Sequence, residues 1–244
     1  MVNFRIKIGN IVADVQSNHN YIKEISSEYL SNDPSNCGIV IDDTAITRER
    51  IAVLAEPNSI DAAPSHLEDW FLEVYALLHG FLPILPEYNM LFLHGSAIKY
   101  GDKAYMFIAP SGTGKSTHSR LWKERFGDKV TIINDDKPFL AFHDNRVYVC
   151  GTPWRGKHNV GGNFKVELGG ICILSRAVSN SILRISPADA MNDVIKQSNL
   201  QSYNDNKLLA LDLIQKLLDT VPTYRLLCKP DMEAVDVCFN EIVK

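Results

Sequence analysis

Behind the apolar run Ala104-Tyr105-Met106-Phe107-Ile108 stands Ala109-Pro110-Ser111-Gly112-Thr113-Gly114-Lys115-Ser116-Thr117. Two glycines, a lysine and several hydroxyls at this spacing are the chemistry of a phosphate cradle. Glycines let the backbone curl until several N–H groups point at one anion, and a helix starting there adds the positive end of its dipole. Lys115 supplies a flexible charge for the β- and γ-phosphates, and the Ser116 hydroxyl is placed to ligate Mg²⁺. Ala109 stands where a first glycine is usual. Residues Ser111, Gly112, Thr113, Gly114, Lys115, Ser116 and Thr117 are therefore expected to bind a nucleoside triphosphate.

Asp135 and Asp136 follow Lys115 by 20 and 21 residues, at the end of the apolar stretch Val130-Thr131-Ile132-Ile133. Carboxylates at the carboxyl end of a strand sit where ligands of open α/β sheets collect. Two of them can divide the work, one holding Mg²⁺ and the other taking a proton from an attacking hydroxyl. His94, in Leu93-His94-Gly95-Ser96-Ala97, is expected on a strand beside the loop strand, near enough to orient or tune an aspartate. The segment Gly151-Thr152-Pro153-Trp154-Arg155-Gly156-Lys157-His158-Asn159 joins turn formers to cations, which suits closure over phosphates. His118 and Trp122 lie on the helix that follows the glycine-rich loop and are read as packing residues.

These groups need elements to position them. Ala104–Ile108 reads as a buried strand and Ser116–Phe126 as a helix that Gly127 can end in a left-handed cap. Met90–Tyr100 and Lys103–Ile108 read as two strands turned at Gly101-Asp102, a hairpin signal. Phe139–Phe142 and Arg146–Cys150 flank Asp144-Asn145 as a second hairpin, and Ile171–Leu174 is a further strand. The remainder reads as mostly helical, with a helix from Ser186-Pro187, one over Asn204–Leu218 and one over Pro230–Val243, together covering the sheet. Upstream, residues 1–88 read as a small α/β appendage, with strand-like alternation from Phe4 to Val15. A helix follows, started by the capping box Ser65/Glu68, with Leu67, Trp70, Phe71, Val74, Leu77, Leu78 and Phe81 on one face. Pro83 and Pro86 mark the boundary, leaving 89–244 as the nucleotide-binding domain.

The 244 residues, 45% hydrophobic and 22% charged, can bury a sizeable core as a globular chain. A net charge of −4 without a basic run argues against nucleic acid as partner. No run approaches the roughly 18 apolar residues of a membrane span, and the opening Met1-Val2-Asn3-Phe4-Arg5-Ile6 alternates like a strand rather than a signal peptide. Five scattered cysteines with no C-x-x-C pair fit a reducing cytoplasm.

Leu93-His94-Gly95-Ser96-Ala97, Pro110-Ser111-Gly112-Thr113-Gly114-Lys115-Ser116 and Ile133-Asn134-Asp135-Asp136, in this order, resemble the HPr kinase/phosphorylase family. Its core is related to the ATP-dependent phosphoenolpyruvate carboxykinases. Short HPr-kinase-related proteins also share Gly-Lys-Ser-Thr-His, Asn134 to Pro138, and Gly-Thr-Pro-Trp-x-Gly-Lys at Gly151 to Lys157. The resemblance spans roughly residues 90–175. It implies an α/β fold with a P-loop core of mixed sheet and hairpins, and ATP- and Mg²⁺-dependent phosphoryl transfer to a serine-type hydroxyl. It implies Asp135 as base supported by His94, Ser116 and Asp136 on the metal, and Lys157 on the γ-phosphate. The acceptor is expected to be a hydroxyl-bearing peptide, protein or small molecule, with homo-oligomers possible by analogy. A glutamate-bearing segment typical of true HPr kinases is not found after the core. The alternative is a module that binds ATP as a sensor or scaffold without transferring phosphate.

Overall fold

Period-two burial opens the chain. Val2–Ile8 (β1) buries Phe4, Ile6 and Ile8 and leaves Asn3 and Lys7 in water, as a strand with one wet face should. It pairs antiparallel with Ile11–Ser17 (β2), which pairs parallel with Cys37–Val40 (β3). Tyr21–Ile25 (α1), Asp43–Ala55 (α2) and Asp69–Phe81 (α3) complete this part. The computed structural model describes residues 1–55 and 67–243, and divides into two units, Met1–Ile84 and Leu85–Lys244. The expected capping residue Ser65 lies outside the described residues. Glu68 takes the N-cap position of α3 without a side-chain cap bond. The apolar stripe of α3 is narrower than its sequence reads: Leu77, Leu78 and Phe81 are buried, whereas Trp70 is 36% exposed. The fully buried Glu73 is instead part of the stripe, its carboxylate accepting the Asn18 and His19 backbone N–H groups at 2.8 and 3.1 Å.

The second unit is built on nine strands. Met90–Phe92 (β4), Ser96–Tyr100 (β5), Lys103–Ile108 (β6), Val130–Asn134 (β7), Phe139–His143 (β8), Arg146–Cys150 (β9) and Lys165–Arg176 (β10) are ordered β4-β8-β9-β10-β6-β5-β7. Thr223–Cys228 (β12) pairs with both β10 and Ser181–Ile185 (β11). Lys115–Phe126 (α4), Pro187–Gln197 (α5), Lys207–Thr220 (α6) and Met232–Ile242 (α7) are its longer helices. The architecture is mixed α/β. Both expected hairpins are present, with Tyr100 opposite Lys103 and His143 opposite Arg146. Gly101, Asp144 and Asn145 take the positive φ angles that such tight turns require.

Three expectations change. Met90–Tyr100 is two strands rather than one, because β4 pairs with β8 while β5 pairs with β6 and β7. Gly95 allows the crossing between them: a side-chain carbon there would stand 2.7 Å from the Phe107 carbonyl oxygen. The C-terminal part is mostly helix as expected, but it also adds two strands that were not expected there: Thr223–Cys228 runs parallel to β10 and recruits β11. A short apolar run of that kind cannot be told from buried helix by periodicity. Lastly, the Ile171–Leu174 strand extends over Lys165–Arg176 and serves two neighbourhoods. Its first residues, Lys165 to Glu167, pair with β9, and its later ones pair with β6 from Leu168 and with β12 from Ile171, with an irregularity between Leu168 and Gly170.

The core beneath α4 and α7 gathers Phe107, Trp122, Cys172, Leu226, Val235 and Cys238, all essentially sealed from solvent. The helix starts of α5 and α7 are capped by Ser186, which accepts from Asp189 N–H, and by Asp231, which accepts from Ala234 N–H. All five cysteines are free thiols. Among the described residues no helix is long and apolar enough to cross a membrane.

Candidate functional site

Strands β6 and β7 both pair antiparallel with β5, which lies between them. They therefore run the same way, and their carboxyl ends meet the start of β5 at one end of the sheet. Three sequence segments converge there: the glycine-rich loop after β6, Asp135-Asp136 after β7, and His94-Gly95 leading into Ser96 at the start of β5.

The loop curls through Gly112 at φ 73° and Gly114 at φ 120°, where a side-chain carbon would meet nothing within 4 Å. The glycines thus answer a backbone need on an open flank. The N-terminus of α4 has no side-chain cap, unlike those of α5 and α7, so its first N–H groups remain available to an anion. Lys115 is 7% exposed, and its ammonium donates to the Ala109 carbonyl at 2.9 Å and the Pro110 carbonyl at 3.4 Å. Burial lowers its proton affinity and Lys137 adds to the effect, while Asp136 and Asp135 oppose it. Arg176, at the end of β10, donates to the Gly112 carbonyl at 2.5 Å.

The two aspartates occupy different environments. Asp135 is 6% exposed and accepts the Ser96 hydroxyl on Oδ1 at 2.7 Å. Burial pushes its carboxyl above the usual range, against the hydrogen bonds of Ser96 and Ser116 and the charge of His158. Asp136 has a cation or imidazole at each oxygen: His94 Nε2 stands 3.2 Å from Oδ1, and Lys137 pairs with Oδ2. Burial alone would raise Asp136, but the His94 hydrogen bond and the Lys137 ammonium outweigh it and hold the carboxyl at about 2. The family resemblance implies His94 beside Asp135. The structure places it on Asp136, because His94 lies on the crossing between β4 and β5 and its neighbour Gly95 donates its N–H to the Asp136 carbonyl at 3.0 Å. Gln197 at the end of α5 holds the histidine twice. Its carbonyl accepts the His94 backbone N–H at 2.8 Å, and its Oε1 lies 3.1 Å from Nδ1.

Asn134 shapes the aspartate turn. Its Oδ1 accepts the backbone N–H groups of Asp136 and Lys137 at 2.9 and 2.8 Å, an Asx turn. Its amide nitrogen donates to the Thr152 carbonyl and hydroxyl at 3.1 and 3.0 Å, and that hydroxyl donates to the Lys137 carbonyl at 2.7 Å. Through Thr152 the turn is tied to the Gly151–Asn159 segment. Gly156 then passes over Asp136 so closely that a side-chain carbon would stand 2.8 Å from the Asp136 Cβ. Lys157 follows as an exposed residue, and the buried Trp154 lies against Phe139 with ring centres 5.7 Å apart.

His118 is buried and holds no position in the open site. It accepts the Trp122 indole N–H on Nε2 at 3.0 Å and meets the Phe107 ring edge-on, which makes both residues packing groups as expected. Burial lowers its imidazole to about 4.

Ser116, Asp135 and Asp136 offer hard oxygen donors, the set Mg²⁺ prefers. Among the described residues no three His, Cys, Asp or Glu side chains form a cluster that would hold a metal alone. The fit is thus to an ion that shares its shell with phosphates and water. Sequence reading assigned no role to Ser96, Asn134, Lys137 or Thr152, although each stands inside a quoted motif. Ser119, Arg176 and Gln197 carry no sequence signal, since partners more than 20 residues away define them.

No family model and no curated protein matches the chain. Among solved structures it is similar to the Hpr(Ser) kinase/phosphatase from Coxiella burnetii. The match covers 62% of this chain and 96% of that one, at 10% identity and a TM-score of 0.34. A likeness this distant carries no argument about the site, whose reading rests on its own geometry.

Proposed function

We propose that the protein is an ATP- and Mg²⁺-dependent kinase that transfers the γ-phosphoryl group to a serine-type hydroxyl of a peptide, protein or small metabolite. One observation carries this reading: Lys115, Ser116, Asp135 and Asp136 converge at one end of the sheet, with Ser116 near enough to Asp135 to favour its ionised form. A cradle for phosphate and a pair of carboxylates in unlike environments are what phosphoryl transfer to an alcohol requires.

In this reading Ser111 to Thr117 embrace the phosphates through backbone N–H groups, and Lys115 leaves the Ala109 carbonyl for a phosphate oxygen. Ser116 and Asp136 would hold Mg²⁺, which neutralises phosphate charge when bound. Asp135, whose burial raises its proton affinity, takes the proton of the acceptor hydroxyl. The acceptor oxygen bonds to the γ-phosphorus as the bond to the β–γ bridging oxygen breaks, leaving ADP. His94 keeps Asp136 ionised and oriented, and Lys157 closes on the γ-phosphate from the segment that crosses Asp136. Positioning and electrostatics do most of the work, as is usual for this chemistry.

The test is transfer of label from γ-labelled ATP with Mg²⁺ to a panel of free serine and threonine, other small alcohols, serine-containing peptides and an HPr protein. Label moving to one acceptor with wild type and not with Lys115→Ala supports the kinase and names its substrate class. ATP bound without label transfer to any acceptor supports the sensor instead.

A further inference from the structure

Three buried polar groups form a hydrogen-bonded line that ends on Asp135. Ser119 and Ser96 are both fully buried, with their hydroxyl oxygens 2.6 Å apart, and Ser96 donates to Asp135 Oδ1 at 2.7 Å. A serine has one hydroxyl proton. Ser96 spends it on the carboxylate, so Ser119 must donate to Ser96, and the line has a single direction while Asp135 is ionised. Its three members come from three elements: α4, β5 and the end of β7. Ser119 lies four residues beyond Lys115, so the two side chains share one face of α4, one turn apart.

We propose that Ser96 and Ser119 are positioning residues for phosphoryl transfer, a hydroxyl pair that ties the base Asp135 to the helix whose first turn holds the nucleotide. This rests on the kinase reading above and adds the parts that aim its base. The charged groups around Asp135 are Asp136 beside it, Lys115 on α4 and His158 on the crossing segment. Beside them Ser96 adds a directional bond, donating from β5 to one oxygen of the carboxylate at 2.7 Å. Because buried hydroxyl chains polarise one another, losing Ser119 weakens the bond that Ser96 makes.

The experiment uses the full chain with Ser96→Ala, Ser119→Ala and both together, in wild-type and Asp135→Asn backgrounds. Turnover is measured with the acceptor that wild type phosphorylates, and stability by denaturant unfolding. Each single substitution is expected to lower kcat about tenfold or more, as small misplacements of reacting groups do, while the KM for ATP stays within about twofold. The double variant should be no slower than Ser96→Ala, because Ser119 acts only through Ser96. Unchanged kcat, a matching rise in the KM for ATP, or losses that multiply in the double variant would overturn the proposal.

Unfolding gives a reading that needs no turnover. Ser96→Ala should destabilise the wild-type background, where the hydroxyl donates to a charged carboxylate, more than the Asp135→Asn background, where it donates to a neutral amide oxygen, and equal effects would overturn the link between the two residues. If that coupling is present while wild type transfers no phosphate to any acceptor, the kinase reading fails and the hydroxyl line stands as a structural tie. Ser119→Ala leaves the carboxylate's own partner in place, so it tests the same line should Ser96→Ala fail to fold.

Discussion

His94 Nε2 lies 3.2 Å from Asp136 Oδ1, so the imidazole supports the second aspartate of the pair and leaves Asp135 to the hydroxyl of Ser96. This division gives the two carboxylates opposite proton affinities within one turn of chain. His94→Ala removes a partner that keeps Asp136 ionised and oriented. In the proposed reading it should raise the Mg²⁺ concentration for half-maximal transfer by about 10- to 100-fold, the usual cost of losing an outer partner of a metal ligand. A Mg²⁺ titration of activity checks this, and an unchanged midpoint with lower kcat would move His94 to another role.

Asp135→Asn keeps shape and hydrogen bonding but removes the proton acceptor. ATP affinity should stay within a few-fold of wild type while turnover falls by about 10²- to 10⁴-fold. Calorimetric ATP binding beside the label-transfer assay separates the two effects, and wild-type turnover would remove Asp135 as the base.

Lys115→Ala acts on the other half of the site. It deletes the ammonium that bridges the Ala109 and Pro110 carbonyls and that the proposal sends to the phosphates. A charge-assisted hydrogen bond contributes about 1.5–3 kcal/mol, so ATP should bind about ten- to hundredfold more weakly. Equal affinity by calorimetry would place the nucleotide elsewhere.

Gly156→Ala tests the crossing segment. The residue has φ 69°, and its new methyl would stand 2.8 Å from the Asp136 Cβ. A left-handed alanine costs about 1–2 kcal/mol, and the clash adds displacement of the segment from Asp136. Gly112→Ala at φ 73° meets no neighbour and should show the backbone cost alone on unfolding. Unfolding midpoints of the two variants compare the effects directly.

His118 makes stability depend on pH. Burial lowers its imidazole from the ordinary 6.5 to about 4. Between those values the unfolded chain binds a proton that the folded chain refuses. The contribution is complete above about pH 6.5 and is lost as pH falls toward 4, amounting to about 3 kcal/mol over that window. Urea unfolding at pH 7 and pH 5 should show the loss in wild type and a flatter response in His118→Gln. Equal slopes would mean that the histidine takes up its proton in place.

The chain's order of residues was enough to pick out the groups that the proposed reading uses. Glycines at 112 and 114, Lys115 and Ser116 between a buried strand and a helix, and the aspartates at 135 and 136, are local patterns, readable because adjacent residues share one backbone. The two hairpins were legible for the same reason, since Gly101, Asp144 and Asn145 are residue types that take the positive φ angles found there. What tertiary structure decided were the partnerships. Whether His94 meets Asp135 or Asp136 depends on a break between β4 and β5 that apolar continuity from Met90 to Tyr100 conceals. Gln197 reaches His94 from 103 residues away, Arg176 reaches Gly112 from 64, and Ser119 reaches Ser96 from 23. Strand β12 is an ordinary short apolar run until β10 offers it a parallel edge. Local sequence sets which groups can react; sheet order and helix packing, which act across the whole chain, set which of them face each other.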